Sequence, residues 1–478
     1  MQSLNQSVIA ANTEVQRLAQ EFRRAIDSVA GPEASFAERE RTALAVSNEI
    51  ARHDLERELQ RRADRYRGRE QVKVDGKLYK MHEDGEVPYH SLVGDLNIRR
   101  PTYRAVGVHN GPTVVPLEWE AGLVEHATPQ LAQNVAQGYA KHDMRSHHED
   151  LISAARLPPS RTALESIAKQ TAQEVHAAVP HIEPYIRRQE ELPPDVVAVS
   201  VGLDRGSVPM AEPPSDEHPA KPQKRKKPYV RKPPPPVVVA WRMAYVGTVS
   251  LVDATGEAQV IRRYTATAAE GPERIVRQML ADVRAALRRR PDLAVGIVQD
   301  GAHELWNLLR TALDAEAMVG GWLEAIDKYH LLERLAGALL MVERDESTRR
   351  EVYATWKHEL DVSDGAIDRI EHWLHKHYSS VTDANLEKFW DHLKFIQNNK
   401  DRMRYVSLAV RGLPVSSGVT ESAAKTVIGA RTKHRGQRWG EPGLRGALAL
   451  RAIHASDRFP AFWRSFSRRY TARVTLVA

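Results

Sequence analysis

The chain opens on helical periodicity. Leu4, Val8, Val15, Leu18, Phe22 and Ile26 recur near 3.6-residue spacing, Gly31-Pro32 interrupts them, and Leu44, Ile50, Leu55 and Leu59 resume the pattern, so residues 1–67 read as two helices. An amphipathic pair docked on the body is the plainer reading of this stretch, and an oligomerisation or DNA-gripping arm is the other. From 68 to 127 the pattern shortens to strand-length runs punctuated by Asp75-Gly76 and Asn110-Gly111. These dipeptides suit tight hairpins because both residues tolerate positive φ, and the stretch reads as a small β-rich module. Residues 128–190 return to helix, with Thr128 as a cap and Pro129 in the first turn, and suit a small helical DNA-binding domain.

The pattern then changes to longer apolar runs. VVAVSVGLD (196–204) is a β-branched run ending on an acid and reads as a buried strand. Residues 211–236 are so rich in proline and lysine that they cannot bury a core, and an extended basic loop is expected there. Two further strands follow on either side of the Asp253–Gly256 turn, then a helix over 272–290, the strand AVGIVQD (294–300), the helix HELWNLLRTALD and a strand in AMVGGWLEAID. Strand, strand, strand, helix, strand, helix, strand is the order of an RNase-H-like fold. Residues 331–412 are helical throughout, an all-α insertion, and 413–478 hold the last part of the core with basic C-terminal helices. The expected class is therefore an α+β multidomain protein: an RNase-H-like core (195–330 and 413–478) carrying an all-α insertion, preceded by helical and small β-rich modules.

Composition narrows this picture. A length of 478 residues allows two to four domains, and a net charge of +7 with a pI near 9.4 fits a polyanionic partner. There is no cysteine, which excludes disulfides and thiolate zinc sites. The first residues lack the apolar core of a signal peptide, and no run approaches the roughly 20 apolar residues of a membrane span. A cytoplasmic, nucleoid-associated protein without membrane partners is the expectation.

Three acids stand where metal-dependent phosphoryl transfer would need them. Such chemistry activates one oxygen, stabilises another and keeps the two in line, which two Mg²⁺ ions about 4 Å apart supply together. Hard cations of this kind want clustered carboxylate oxygens. Asp204 and Asp300 close two strand-like runs, and Glu421 lies on a later helix. A strand-end Asp is also a common turn or cap residue, so the words around each acid matter.

Those words resemble a family. VSVGLDRGSVPM around Asp204, VQDGAHELW with Trp306 six residues after Asp300, IDKYH with Asp327 and His330, and SSGVTESAAKTVIGARTKHRGQRW around Glu421 occur in the order of bacterial insertion-sequence DDE transposases of the ISKra group, relatives of the Mutator-like enzymes. The resemblance covers roughly residues 90–455. It implies that Asp204 bridges two Mg²⁺ ions, with Mn²⁺ able to substitute, that Asp300 and Glu421 each bind one, and that Asp327 and His330 are auxiliary. Two departures stand out: AVGVHNG replaces the usual cysteine pair after Arg-x-x-Tyr-Arg, and Arg205-Gly206 replaces the usual Gly-Thr after the first aspartate.

Lys425, Arg431, Lys433, Arg435, Arg438 and Trp439 follow Glu421 closely and are the expected DNA contacts. Trp306 and Trp439 suit either core packing or stacking on unpaired bases. His142, His147 and His148, and His372, His375 and His377, read as helix-surface histidines rather than metal ligands, and no Gly-rich phosphate loop of the GKT type occurs. The expected function is metal-dependent cleavage of double-stranded DNA at transposon inverted-repeat ends and strand transfer into target DNA, by a homodimer or higher oligomer. A stand-alone RNase-H-like endonuclease, or a domesticated transposase kept as a DNA-binding protein, remain the alternatives.

Overall fold

A computed structural model describes residues 13–108, 111–214, 236–300, 303–468 and 474–476. The chain divides into two units, one of Met1–Glu183 with Asp457–Ala478 and one of Pro184–Ser456.

In the first unit, α1 (Thr13–Ala30) and α2 (Phe36–Asp64) flank the Gly31-Pro32 break. Ser35 and Glu38 start α2 with a capping box: the Ser35 hydroxyl accepts from Glu38 N at 3.3 Å, and the Glu38 carboxylate accepts from Ser35 N at 2.8 Å. The docked-pair reading holds for the second helix, whose Leu59 and Ala63 are buried in one core with Leu96, Ile98 and Tyr103 and whose Gln60 Oε1 accepts from Arg99 N at 2.9 Å; Val15, Leu18, Leu44, Ile50 and Leu55 are exposed, and Leu4 and Val8 lie outside the described residues. Strands β1 (Gln71–Val74), β2 (Lys77–Ser91), β3 (Gly94–Ala105) and β4 (Thr113–Val114) form an antiparallel sheet with Val474–Leu476 on its β1 edge. Asp75 and Gly76 make the expected hairpin turn, at φ 48° and 77°; Asn110 lies outside the described residues. Helix α3 (Pro116–Glu120) follows, then α4 (Pro129–Lys141), α5 (Met144–Ser153) and α6 (Arg161–Gln189), within which the two units divide. Thr128 precedes Pro129 as expected, but its side chain makes no cap bond. His147 is buried rather than on the surface, with Nε2 3.0 Å from Asn134 Oδ1.

The second unit is built on a sheet of β5 (Val196–Glu212), β6 (Val238–Asp253), β7 (Ala258–Ala266), β8 (Ala294–Gln299) and β9 (Leu323–Ile326), in the order β7-β6-β5-β8-β9. The first three form an antiparallel meander, and β8 and β9 run parallel to β5. Helices α7 (Glu273–Arg289) and α8 (His303–Asp314) make the crossovers, burying Ile275, Met279 and Val283, and Trp306 and Leu309, in one core with Val199, Val201 and Ile297. Apolar β-branched runs fit this arrangement, because a parallel central strand is covered on both faces.

Five helices then leave the sheet and return: α9 (Lys328–Val342), α10 (Glu346–Val362), α11 (Ala366–His377), α12 (Asp383–Asn399) and α13 (Tyr405–Val410). Their core, with Trp356, Ile370, Phe389 and Leu393, is continuous with that of the sheet. The chain re-enters the sheet region through α14 (Gly418–Ala423), a π-helical turn (Ala424–Gly429), α15 (Ala430–Thr432) and α16 (Glu441–Ala455).

One correction bears on the site. Asp204 does not end its strand: β5 continues to Glu212, paired with β6 throughout, and Asp204 stands opposite Val246. What ends near it is the pairing with β8, whose last partners are Val201 and Ile297. Most of the expected basic loop, residues 215–235, lies outside the described residues.

Candidate functional site

Register brings the acids to one edge of the sheet. Val201 is opposite Ile297, so three residues further along the parallel strands come Asp204 and Asp300. Gln299 is opposite Ile326, so Asp327 follows β9 beside Asp300. Gln299 joins the three strands where they diverge: its Oε1 accepts from Leu203 N at 3.0 Å and its backbone carbonyl from Asp327 N at 2.9 Å.

Alternation of side chains along β5 puts Gly202, Asp204 and Gly206 on one face. A Cβ on Gly202 would fall 2.3 Å from Thr420 Oγ1, and one on Gly206 would fall 3.3 Å from Ile428 Cγ2. The Glu421-bearing segment therefore lies directly over this face, and Asp204 is the one long side chain left between two glycines. Thr420 fixes the approach through its hydroxyl, 2.7 Å from Thr248 Oγ1.

The electrostatics follow from this convergence. Burial pushes the Asp204 carboxyl up to about 6, and the charges of Asp300 and Glu421 push it the same way, against a bond from Arg205 N at 2.7 Å. Arg205 turns away to an ion pair with Glu304. Asp300 is held by its backbone, whose carbonyl accepts from Trp306 Nε1 at 2.6 Å. Trp306 is buried, with the guanidinium of Arg402 4.8 Å and that of Arg310 5.4 Å from its ring centroid, and both arginines bind Glu324. Its role is packing and support, not base stacking.

Glu421 Oε1 accepts from Ser417 Oγ at 2.9 Å and lies 3.6 Å from His330 Nδ1, while Oε2 is 3.5 Å from Lys425 Nζ. Asp327, His330 and Glu421 can each offer one atom within 4.8 Å of the others'. Asp327 is nevertheless a poor metal ligand. Burial favours its neutral form, but bonds from the His330 and Ser417 backbone and from the Ser417 and Ser416 hydroxyls outweigh that and hold its carboxyl below the usual range. Those bonds already occupy its oxygens.

The expected DNA contacts divide. Lys425, Lys433, Arg435 and Arg438 are exposed. Arg431 and Trp439 depart from the expectation: both are buried, with the Arg431 guanidinium 4.8 Å from the Trp439 ring centroid, so they support the segment. Trp439 also extends the β5 edge, its N–H donating to Pro209 O at 2.9 Å and its carbonyl accepting from Ala211 N at 2.8 Å. Sequence reading missed Gln299, Ser417 and Arg451. Arg451 donates to the carbonyls of Thr426 and Val427 in the π-helical turn, and burial, then the charge of Arg431, lowers its pKa to about 10. Gln299 alone carried a local signal, as a polar residue ending an apolar strand.

No protein family model and no curated protein matches the chain. Among solved structures it is similar to the Drosophila P element transposase strand transfer complex, at 10% identity and a TM-score of 0.25 over 72% of this chain and 81% of that one. It is also similar to the Mos1 transposase paired-end complex with left transposon end, at 15% identity and a TM-score of 0.15 over 56% of this chain and 74% of that one. At such TM-scores the site is read from its own residues. No helix among the described residues is long and apolar enough to cross a membrane.

Proposed function

We propose that this chain is a DDE transposase of RNase-H-like fold, related to the ISKra group, in which Asp204, Asp300 and Glu421 hold the catalytic divalent cations. The observation that carries the reading is the convergence of these three carboxylates at one sheet edge, close enough that Asp300 and Glu421 raise the pKa of a half-buried Asp204. Three hard oxygen donors in mutual repulsion fit Mg²⁺ or Mn²⁺ rather than a soft metal. When bound, the two ions supply charge neutralisation at the attacking and leaving oxygens of a phosphodiester. The meander β7-β6-β5 followed by parallel β8 and β9 supports the fold assignment.

The rest of the site is suited to holding DNA against those acids. Lys425, Lys433, Arg435 and Arg438 offer exposed positive charge on or just after the Glu421 segment, where phosphates on both sides of a cut would lie. His330, one turn into α9 and beside Glu421, is placed to donate to a phosphate oxygen or to that carboxylate. Two inverted-repeat ends and one target imply at least a homodimer.

The test uses the purified full chain with duplexes carrying the DNA that borders its gene. With Mg²⁺ or Mn²⁺, end nicking and strand joining are expected, and Asp204→Asn, Asp300→Asn and Glu421→Gln should bind the ends yet leave them uncut. Cleavage by any of these variants at the wild-type rate overturns the assignment. Hydrolysis without joining would indicate a stand-alone nuclease, and bound but uncut ends in the wild type a domesticated DNA-binding protein.

A further inference from the structure

We infer that Asp327 is a positioning residue: its carboxylate ties the root of the helical insertion to the first turn of the Glu421 helix and so fixes where Glu421 can reach. The inference rests on Glu421 being a metal ligand, and it assigns Asp327 a role other than ligand.

Asp327 is 1% exposed. Its Oδ1 accepts from Tyr329 N at 2.8 Å and His330 N at 3.0 Å, which makes it the N-cap of α9. Its Oδ2 accepts from Ser416 Oγ at 3.0 Å, from Ser417 Oγ at 2.9 Å and from Ser417 N. A carboxylate has about four lone-pair sites, so five donors leave none for a cation. Tyr329 and Ser417 lie at opposite ends of the insertion. One carboxylate thus closes the base of five helices, alongside bonds from Lys328 N to Val415 O at 3.0 Å and from Tyr405 Oη to Ile326 O at 3.1 Å.

The helix that receives this tie has no side-chain cap of its own, and its other hold is Thr420 on Thr248. Helix α14 is six residues long and passes straight into a π-helical turn, and Ser417, at its N-cap position, makes no side-chain cap bond within the helix. The Ser417 N–H is taken instead by Asp327, which caps two helix starts at once. Ser417 Oγ stands 2.9 Å from both Asp327 Oδ2 and Glu421 Oε1. With a single proton it donates to one of them at a time, and when it bonds Asp327 the Glu421 oxygen is released. His330 Nδ1, 3.4 Å from Asp327 Oδ1 and 3.6 Å from Glu421 Oε1, is buried without a hydrogen-bond partner and occupies the remaining gap. Partners that orient a metal-binding carboxylate in this way typically contribute about 10–100-fold to metal affinity.

The experiment compares wild type, Asp327→Asn, Ser417→Ala, Ser417→Thr and Glu421→Gln as full chains. It reads Mn²⁺ binding by electron paramagnetic resonance, the Mg²⁺ concentration giving half-maximal cleavage, DNA binding and circular dichroism. In Asp327→Asn an amide NH₂ meets either the Ser417 N–H or the α9 N–H groups. Mn²⁺ affinity should fall about 10–100-fold, the half-maximal Mg²⁺ concentration should rise by a similar factor, and cleavage at saturating metal should return to within about threefold of wild type. DNA binding should be unchanged. Ser417→Ala should weaken Mn²⁺ at least threefold and Ser417→Thr should restore it, a pair that keeps the test sharp if Asp327→Asn fails to fold. Wild-type Mn²⁺ affinity in a folded Asp327→Asn or in Ser417→Ala, alongside loss in Glu421→Gln, overturns the positioning role alone. Wild-type affinity and cleavage in Glu421→Gln overturn the metal-site reading and this one with it.

Discussion

Replacing Asp204 by Asn should stabilise the metal-free protein while abolishing its activity. The carboxyl is held up to about 6 against an ordinary 3.8, by burial first and then by Asp300 and Glu421. A gap of about two pKa units corresponds to roughly 3 kcal/mol. Asp204 is only partly buried, so solvent screening reduces this to roughly 1–2 kcal/mol. The sign follows from where protons bind. Below about pH 4 the group is protonated in both folded and unfolded chains, and its charge costs nothing. As pH rises from 4 to 6 the unfolded chain ionises first, and above 6 the folded chain carries the charge at full cost. Asn keeps the oxygen that accepts from Arg205 N and removes the charge. In calorimetry without metal at pH 8, Asp204→Asn should therefore unfold a few degrees above wild type, roughly 2–5 °C, and the gain should vanish near pH 4. Millimolar Mg²⁺ should raise the wild-type midpoint and leave the variant's unmoved, because only a group that binds the cation gains by mass action. A variant no more stable than wild type at pH 8, or equally stabilised at pH 4, refutes the claim that Asp204 is charged against its surroundings.

Two further substitutions probe the supports. Gly202→Ala places a Cβ 2.3 Å from Thr420 Oγ1 and 2.9 Å from Val298 O. It should cost about 1–3 kcal/mol in thermal or urea unfolding and weaken Mn²⁺ binding as Glu421 is pushed outward; wild-type stability would show that the helix does not rest on this glycine. Trp306→Phe keeps an aromatic ring but loses the bond to Asp300 O, and should cost about 1–3 kcal/mol with cleavage lowered more than DNA binding; equal loss of both would point to general unfolding instead.

Much of the second unit was legible because its signals are local. Buried parallel strands announce themselves as β-branched runs, so 196–204 and 294–300 were found, and helical periodicity located the insertion through 331–412. What the sequence concealed depends on partners distant in the chain. The apolar run stops at Asp204, so the strand reads as ending there, yet β5 runs on to Glu212 because β6 pairs with it throughout. Pro209 is tolerated because only its carbonyl is needed, by Trp439 N–H. Arg431 and Trp439 looked like DNA contacts because basic and aromatic residues beside an acid suggest phosphate and base, and their burial is decided by how α15 and α16 fold back. In the N-terminal pair, periodicity predicted the helices and their apolar stripe but could not say that Leu59 would be buried while Val15, Leu18, Leu44, Ile50 and Leu55 stay exposed.

The three acids differ in what keeps them in place, and that difference orders how substitutions should act. Asp204 is part of a paired strand and cannot move without breaking the β5–β6 ladder. Asp300 lies beyond the end of its strand, and the structure anchors its carbonyl on an indole that α8 supplies and that Arg402 covers from the end of the insertion. Glu421 stands on a six-residue helix interrupted by a π turn, the least regular support of the three. Its position therefore depends on side chains from elsewhere: Thr248 through Thr420, Asp327 through Ser417, and Arg451 on the carbonyls of Thr426 and Val427. Four of the side chains that hold Asp300 and Glu421, namely Glu324, Asp327, Arg402 and Ser417, come from residues at the two ends of the helical insertion. The base of that insertion thus sets the positions of Asp300 and Glu421, while Asp204 is set by its own strand pairing. Substitutions at the base should therefore change metal affinity before they change the fold, and substitutions at β5 should do the reverse.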